Sequence, residues 1–273
     1  MIPVAISYSG GTSSEWMIEA IIRGVIPRPN PVAVFFADTG EEHEWTYRHV
    51  DEVEARCKAA GLYFDRCKHP RYSLGDHVLH AVASGATRVD SPPFWIAKDG
   101  GGKGRVIQCC TKEFKTAVLR RRQAGWLAAL GRKKRLITWI GYAHDEQHRA
   151  TKAVAKRGVK WETLDFPGIR YGRTRAMQRE ELIAWTGRAP KFSMCVCCPF
   201  KTAPRWAATK GADLARAIQI DDAIRDPSQF GLTEGEGFLH QDLIPVSSLL
   251  SRPQADDTDE TPIDACDAGG CFL

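Results

Sequence analysis

The feature that most narrows what this chain can fold into is an alternation in its first third. The apolar runs IPVAISYS, PVAVFFAD and LYFDRCK are separated by two stretches with helical spacing of apolar residues, Ser14 to Gly24 and Trp45 to Ala60. Strand, helix, strand, helix, strand in that order predicts an α/β fold: an open parallel sheet with helices on both faces. Between the first run and the first helix stands Ser7-Tyr8-Ser9-Gly10-Gly11-Thr12-Ser13-Ser14. A glycine-rich turn that leaves a parallel strand and opens a helix gathers several backbone N–H groups and the positive helix end around one point, a site suited to phosphate. The hydroxyls of Ser9, Thr12, Ser13 and Ser14 offer further donors. The lysine of a Walker A loop is missing, so a nucleotide held here is held without it.

Later regularity is more broken. Ser84 to Gly104, rich in glycine, proline and mixed charge, reads as a mobile loop, a lid in form. A basic helix is predicted from about Thr111 to Leu130, then the strand RLITWIGY, the charged segment HDEQHRATKAVAKRG, the strand WETLDFP and the helix RTRAMQREELIAWTG. After Cys195-Val196-Cys197-Cys198-Pro199 the stretch PRWAATKGADLARAIQIDDAIRD reads as one long amphipathic helix, and the acidic, aperiodic end SRPQADDTDETPIDACDAGGCFL as a flexible tail. The organisation expected is a nucleotide-binding α/β domain over 1–190, a cysteine-bearing helical region over 191–250 and a two-cysteine tail over 251–273.

At 273 residues and 43% apolar content the chain can bury a substantial core. No apolar run reaches the roughly 20 residues of a membrane span, and Met1 leads directly into a strand pattern, so a cytoplasmic location without membrane partners is expected. The net charge of +5 is mild. Its clusters, Arg120-Arg121-Arg122 and Arg132-Lys133-Lys134-Arg135, read either as nucleotide or nucleic-acid contacts or as a solvated helix face, the second being favoured. Nine cysteines in a reducing compartment point to metal or redox chemistry more than to disulfides, with the isolated Cys57 and Cys67 expected in the core.

SGGTSS resembles the SGGxDS phosphate loop of the adenine nucleotide alpha-hydrolase-like superfamily, which holds the PP-loop ATP pyrophosphatases and the phosphoadenosine phosphosulfate (PAPS) reductases; Ser13 stands at the acidic position. FADTGEEHEWTY resembles the PAPS reductase stretch F-x-D-T-G-x-E-x-x-x-T-Y, and QCCTKEFK that family's Cys-x-x-x-x-Lys helix start. WIGYAHDEQHR, APKFSMCVCCPF and FLHQDLIPVSSL are similar to stretches of a subgroup found in phages and bacteria. The resemblance implies a Rossmann-like nucleotide fold. It places an adenine nucleotide (PAPS, APS or ATP) on Ser7, Ser9, Gly10, Gly11, Thr12, Ser13 and Ser14 and on Asp38, Thr39, Gly40 and Glu41, at neighbouring strand ends. Asp38, with Glu41 and Glu42 behind it, suits Mg²⁺ or ribose hydroxyls, or serves only the dipole of the following helix. Lys112, Arg149 and Arg173, with Lys115, Arg170 and Arg175, are candidates for phosphate or sulfate. His144 and His148, without an HExxH pattern, are read as solvent or substrate contacts.

Cys109-Cys110 followed by Cys195-x-x-Cys198 resembles the iron-sulfur arrangement of adenylyl-sulfate reductases, which implies a 4Fe-4S cluster; zinc accepts the same four sulfurs, and free thiols are the third reading. Cys197 is an extra thiol within the turn. Cys266 and Cys271 on the tail suit a thiol that enters a site and leaves to be reduced, although the reductases' Glu-Cys-Gly-Leu-His ending is absent. Two activities follow. In the first, put slightly ahead, the chain reduces (phospho)adenylyl sulfate to sulfite with a tail thiol as nucleophile and a thioredoxin-like reductant. In the second, an ATP-dependent sulfurtransferase adenylates and thiolates DNA or tRNA, with a cysteine desulfurase as sulfur source. A non-catalytic nucleotide-binding module is a third reading, and a homodimer is an open possibility for each.

Overall fold

A computed structural model describes residues 1–86, 89–106, 109–155, 158–188, 193–230 and 235–251. Cys266 and Cys271 lie outside the described residues.

Five parallel strands form the main sheet: β1 (Val4–Tyr8), β2 (Val32–Asp38), β3 (Tyr63–Lys68), β6 (Leu136–Ile140) and β7 (Glu162–Asp165), in the order β3-β2-β1-β6-β7. Alternate residues of β1 and β2 face opposite sides, as a strand requires. Val4, Ile6, Tyr8, Val32, Val34 and Phe36 pack with α1 (Thr12–Ile22), α2 (Glu44–Ala59) and Leu182 of α7 (Arg175–Thr186). Ala5, Ala33 and Phe35 face the other way, onto Val118 and Leu127 of α4 (Ala117–Ala129). Helices therefore cover both faces, as the alternation predicts, and Cys57 and Cys67 are core residues.

Helix α1 is not the simple amphipathic helix its pattern suggests, because Glu15 and Glu19 are buried on it at 1% exposure each. Arg56 of α2 spans them, with Nη2 2.6 Å from Glu15 and Nε 2.6 Å from Glu19, and His49 lies 2.7 Å from Glu15. Carboxylates taken from water need such partners. The α1–α2 packing is thus specified by charge as well as by the fully buried Trp16 and Met17.

The reading of 84–104 as a lid is overturned. Trp95–Ala97 (β4) and Lys103–Arg105 (β5) form an antiparallel hairpin, and β8 (Glu236–Phe238) adds a third strand in the order β5-β4-β8. Gly100, Gly101 and Gly102 make its turn, all at positive φ. The composition reflects that turn, while Phe94 and Ile96 pack into a second apolar core. This core draws on α3 (Leu74–Ala83), α8 (Ala203–Ala208), α9 (Gly211–Ala223) and the cysteine turn. The long helix expected after residue 203 is two helices, α8 and α9, because Thr209 and Lys210 between them are extended and Gly211 opens α9 at φ +53°.

No helix among the described residues is long and apolar enough to cross a membrane. The cluster Arg132-Lys133-Lys134-Arg135 is exposed just before β6, at the edge where the parallel strands begin. Arg120 bonds Glu162, and Arg122 makes a bidentate pair with Asp65. These charges are a solvated edge and structural pairs.

Candidate functional site

The strand order reverses at β1, whose successor in the sheet on one side is β2 and on the other β6. In open α/β sheets the crevice at the carboxyl ends of such strands takes ligands. Ser9 to Ser14 lie there. Gly10 adopts φ +80°, and a Cβ on it would stand 3.0 Å from both Ser193 Oγ and Thr46 Cγ2. Gly11 is the N-cap at φ −106°, an extended conformation open to any residue. The glycine required by the turn is therefore Gly10, while Gly11 leaves room in front of the helix end. Ser14 Oγ accepts from the Ser9 N–H at 3.2 Å and donates to the Gly11 carbonyl at 2.9 Å, so it holds the turn closed. Among the described residues no acceptor meets the N–H groups of Gly10, Gly11, Thr12 or Ser13. They form an outward cradle at the positive end of α1.

The far wall comes from β6. A Cβ on Gly141 would lie 2.6 Å from the Ser14 nitrogen, so only glycine lets the β6 end pass so close to α1. Beyond it, Arg149 lies over the Tyr142 ring at 4.5 Å and 2.5 Å from Glu146 Oε1. Arg173 Nε is 2.9 Å from Glu181, which also accepts from the Trp16 indole at 2.5 Å. Both arginines are thus placed on the β6 side, each held by a carboxylate, with Arg170 on Asp165 and Arg175 near Glu146. His144 and His148 are exposed. Lys112 is solvent-facing beside Glu113.

At the end of β2, Asp38 is buried. Its Oδ1 accepts from the Gly40 N–H at 2.8 Å and the Tyr47 hydroxyl at 2.9 Å, and Lys68 Nζ lies 3.2 Å from Oδ2. Burial, then the charges of Asp38 and Glu42, push the Tyr47 hydroxyl far above its usual range, so it is a firm donor. Gly40 is at φ +77°, with Ser73 against it. Glu41 turns away from the crevice: Arg216 of α9 donates to both its oxygens, at 2.7 and 3.0 Å, and Ser73 and the Gly75 N–H donate to it as well. It joins the two cores and is spoken for.

The cysteine turn docks on this same loop. Glu42 and Cys195 form an isolated antiparallel bridge, and the Val196 N–H donates to the Glu41 carbonyl at 2.6 Å. Cys195 Sγ lies 3.2 Å from Thr39 Oγ1 and 3.5 Å from Glu42 Oε1. Ser193 donates to the Ser9 carbonyl, which ties the turn to the glycine-rich loop as well. Burial raises the Cys195 thiol well above its ordinary value, with Glu42 adding to the rise, and burial raises Glu42 too. Lys201, 1% exposed, closes the turn from behind by donating to the Val196 carbonyl at 2.9 Å and to Thr209 Oγ1 at 2.8 Å.

Cys110, Cys195, Cys197 and Cys198 share the second apolar core, and Cys109 precedes the π-helical turn 111–116 that carries Lys115. Among the described residues, however, no three His, Cys, Asp or Glu side chains are placed to hold one metal ion. Lys115, Ser7 and Ser9 line a cavity of about 20 Å³ between the β1 end and this turn, room for one water.

No family model matches the chain, and no curated protein matches it at a significant level. Among solved structures it is similar to the U34-tRNA thiolase NcsA from Methanococcus maripaludis with its 4Fe-4S cluster. The identity is 13%, over 94% of this chain and 83% of that one, with a TM-score of 0.38. A likeness of that strength carries no conclusion about substrate or chemistry.

Sequence reasoning missed Gly141, Ser193, Lys201 and Arg216. A glycine ending a strand signals Gly141, and a lysine three residues past a Cys-x-x-Cys turn signals Lys201. Ser193 and Arg216 act across the fold and leave no local pattern.

Proposed function

We propose that this chain is an adenine-nucleotide-dependent enzyme of the PP-loop ATP pyrophosphatase superfamily that transfers sulfur to a nucleic acid. One observation carries the reading: the cysteine turn is bonded directly onto the loops at the ends of β1 and β2, so sulfur and the anion cradle occupy one edge of the sheet. The N–H groups of Gly10 to Ser13 hold ATP phosphates, and Asp38, which accepts from Tyr47 and lies beside Lys68, takes the ribose hydroxyls or Mg²⁺. Arg149 and Arg173 face the phosphates from the β6 side. The acceptor oxygen attacks the α-phosphorus and pyrophosphate leaves. Hydrosulfide then attacks the adenylated atom, the bond to oxygen breaks, and AMP departs with that oxygen; no electrons change hands.

The four-cysteine set Cys109, Cys110, Cys195 and Cys198 is not gathered as a ligand group here, so no step is routed through a 4Fe-4S cluster or zinc. Transfer calls only on groups that meet at the ends of β1 and β2, the anion cradle, Asp38 and the cysteine turn, whereas the thiol of the reduction, Cys266 or Cys271, lies outside the described residues. That is why transfer is preferred to the reduction expected from the sequence.

Anaerobically purified protein given ATP, tRNA or DNA and sulfide is expected to release pyrophosphate and AMP and to thiolate the acid. Sulfite from PAPS or APS with a dithiol, and no thiolated product, would replace the proposal with the reductase. Iron and zinc content of the same preparation tests metal on the cysteines.

A further inference from the structure

The β4–β5 hairpin carries cations that the site described so far does not use. Lys98, Lys103 and Arg105 are exposed, and among the described residues none of them meets a carboxylate. Two are held in position by aromatic rings. Lys103 Nζ lies 4.2 Å from the centre of the Trp95 ring, and Arg105 Cζ lies 5.5 Å from that ring and 5.1 Å from the Phe200 ring. Trp95 is itself anchored, its indole N–H donating to the Pro199 carbonyl at 3.2 Å. Lys103 also donates to the Gln241 carbonyl.

The register pairs Trp95 with Arg105 and Ala97 with Lys103. These side chains therefore share one face, while Ile96 on the opposite face packs into the second core. Lys103 and Arg105, two residues apart on a strand, are separated by roughly 7 Å, the order of the distance between successive phosphates of an extended single strand. On this face the two cations stand against one exposed carboxylate of the three strands, Glu236, which pairs with Ala97. Through Pro199 and Phe200 the hairpin abuts the cysteine turn, and β5 leads along the chain toward Cys109 and Cys110. The other basic clusters do not compete for this role: Arg132 to Arg135 sit at the opposite edge of the main sheet, and Arg120 and Arg122 are paired.

We infer that the β4–β5 hairpin is the docking surface for a single-stranded stretch of nucleic acid, whose phosphodiester backbone runs across Lys103 and Arg105 and so brings the acceptor to the sulfur-bearing edge; Lys98, whose stem lies over Gly104 on the other face, takes no part. This rests on the reading of nucleic acid as acceptor. Such a surface binds by neutralising phosphates, so its affinity falls with salt and tolerates sequence change.

The test uses the full chain and fluorescence anisotropy of a labelled oligouridylate of about 20 nucleotides, longer than single-strand sites of this kind. Lys103→Glu/Arg105→Glu is expected to weaken binding by about tenfold or more and to flatten the salt dependence, with Lys103→Gln/Arg105→Gln as a milder second variant. ATP affinity by calorimetry and the melting temperature are expected to hold in both, and Arg132→Glu/Lys133→Glu at the far edge is expected to bind as wild type. Oligothymidylate DNA is expected to bind comparably, because backbone contacts carry the interaction; a strong dependence on the sugar overturns recognition by phosphates alone. Undiminished binding in the hairpin variants overturns the docking surface and leaves the proposed activity standing. A wild-type chain that binds ATP but no oligonucleotide at low salt overturns both. Polyglutamate competing as well as RNA at equal charge overturns the surface in favour of an acidic polypeptide.

Discussion

The Thr39 hydroxyl lies 3.2 Å from the Cys195 sulfur, although the two residues are 156 positions apart in the chain. That contact is where the nucleotide edge meets the cysteine turn. Thr39→Val removes it while keeping shape, at a stability cost of about 1 kcal/mol. The loss is read by urea unfolding under reducing conditions; an unchanged midpoint would show that this contact does not hold the two loops together.

The two glycines of the phosphate loop are expected to behave differently. Gly10→Ala places a Cβ at φ +80° and 3.0 Å from Ser193 and Thr46, so a loss of about 1–2 kcal/mol in urea unfolding is expected from the backbone alone. Gly11→Val meets nothing closer than Ser9 Oγ at 3.6 Å and should fold normally, while ATP binding is abolished because its side chain occupies the cradle. Wild-type ATP affinity in Gly11→Val would remove the phosphate from this loop.

Gly141→Ala drives a Cβ into the first turn of α1, 2.6 Å from the Ser14 nitrogen. Backbone must yield there, since no flexible side chain can. A cost of about 1–3 kcal/mol and a clear drop in ATP affinity are expected together, read by denaturation and calorimetry.

Arg56→Ala leaves Glu15 buried with His49 and Glu19 buried with the more distant Arg23, 3.4 Å away. The expected destabilisation is about 3–5 kcal/mol, larger than for an exposed ion pair such as Arg48–Glu44. Double replacement with Glu15→Gln and Glu19→Gln should recover part of it, which distinguishes stranded charge from lost packing.

Burial lowers Lys201 from 10.5 to about 7, opposed by the nearby Cys198 and Cys197. Above pH 7 the unfolded chain holds a proton that the folded chain has released, so stability rises with pH. Above about 9 the raised thiols of Cys195 and Cys197 act the other way, because the folded state then keeps protons that the unfolded state loses. Urea midpoints under reducing conditions should climb between pH 7 and 9 in wild type and stay flatter in Lys201→Met. An equal slope in the variant would show that Lys201 is not the group responsible.

The primary sequence by itself determined the parallel sheet, the helices on its two faces and the glycine-rich turn between β1 and α1, because those follow from local periodicity and from glycines at a strand-to-helix junction. It also marked Asp38 and the cysteine turn by residue type. It misjudged 84–104, where the Gly100-Gly101-Gly102 turn dominates the composition and hides two three-residue strands whose partner, β8, lies far along the chain. Only the tertiary structure decided that Glu41 is held by Arg216 and turned from the crevice, that Cys195 faces Thr39 and Glu42, and that the cations of β5 stand beside the cysteine turn. Each is a pairing between groups distant in sequence, set by which surfaces the two cores bury against each other, and no local pattern encodes that choice.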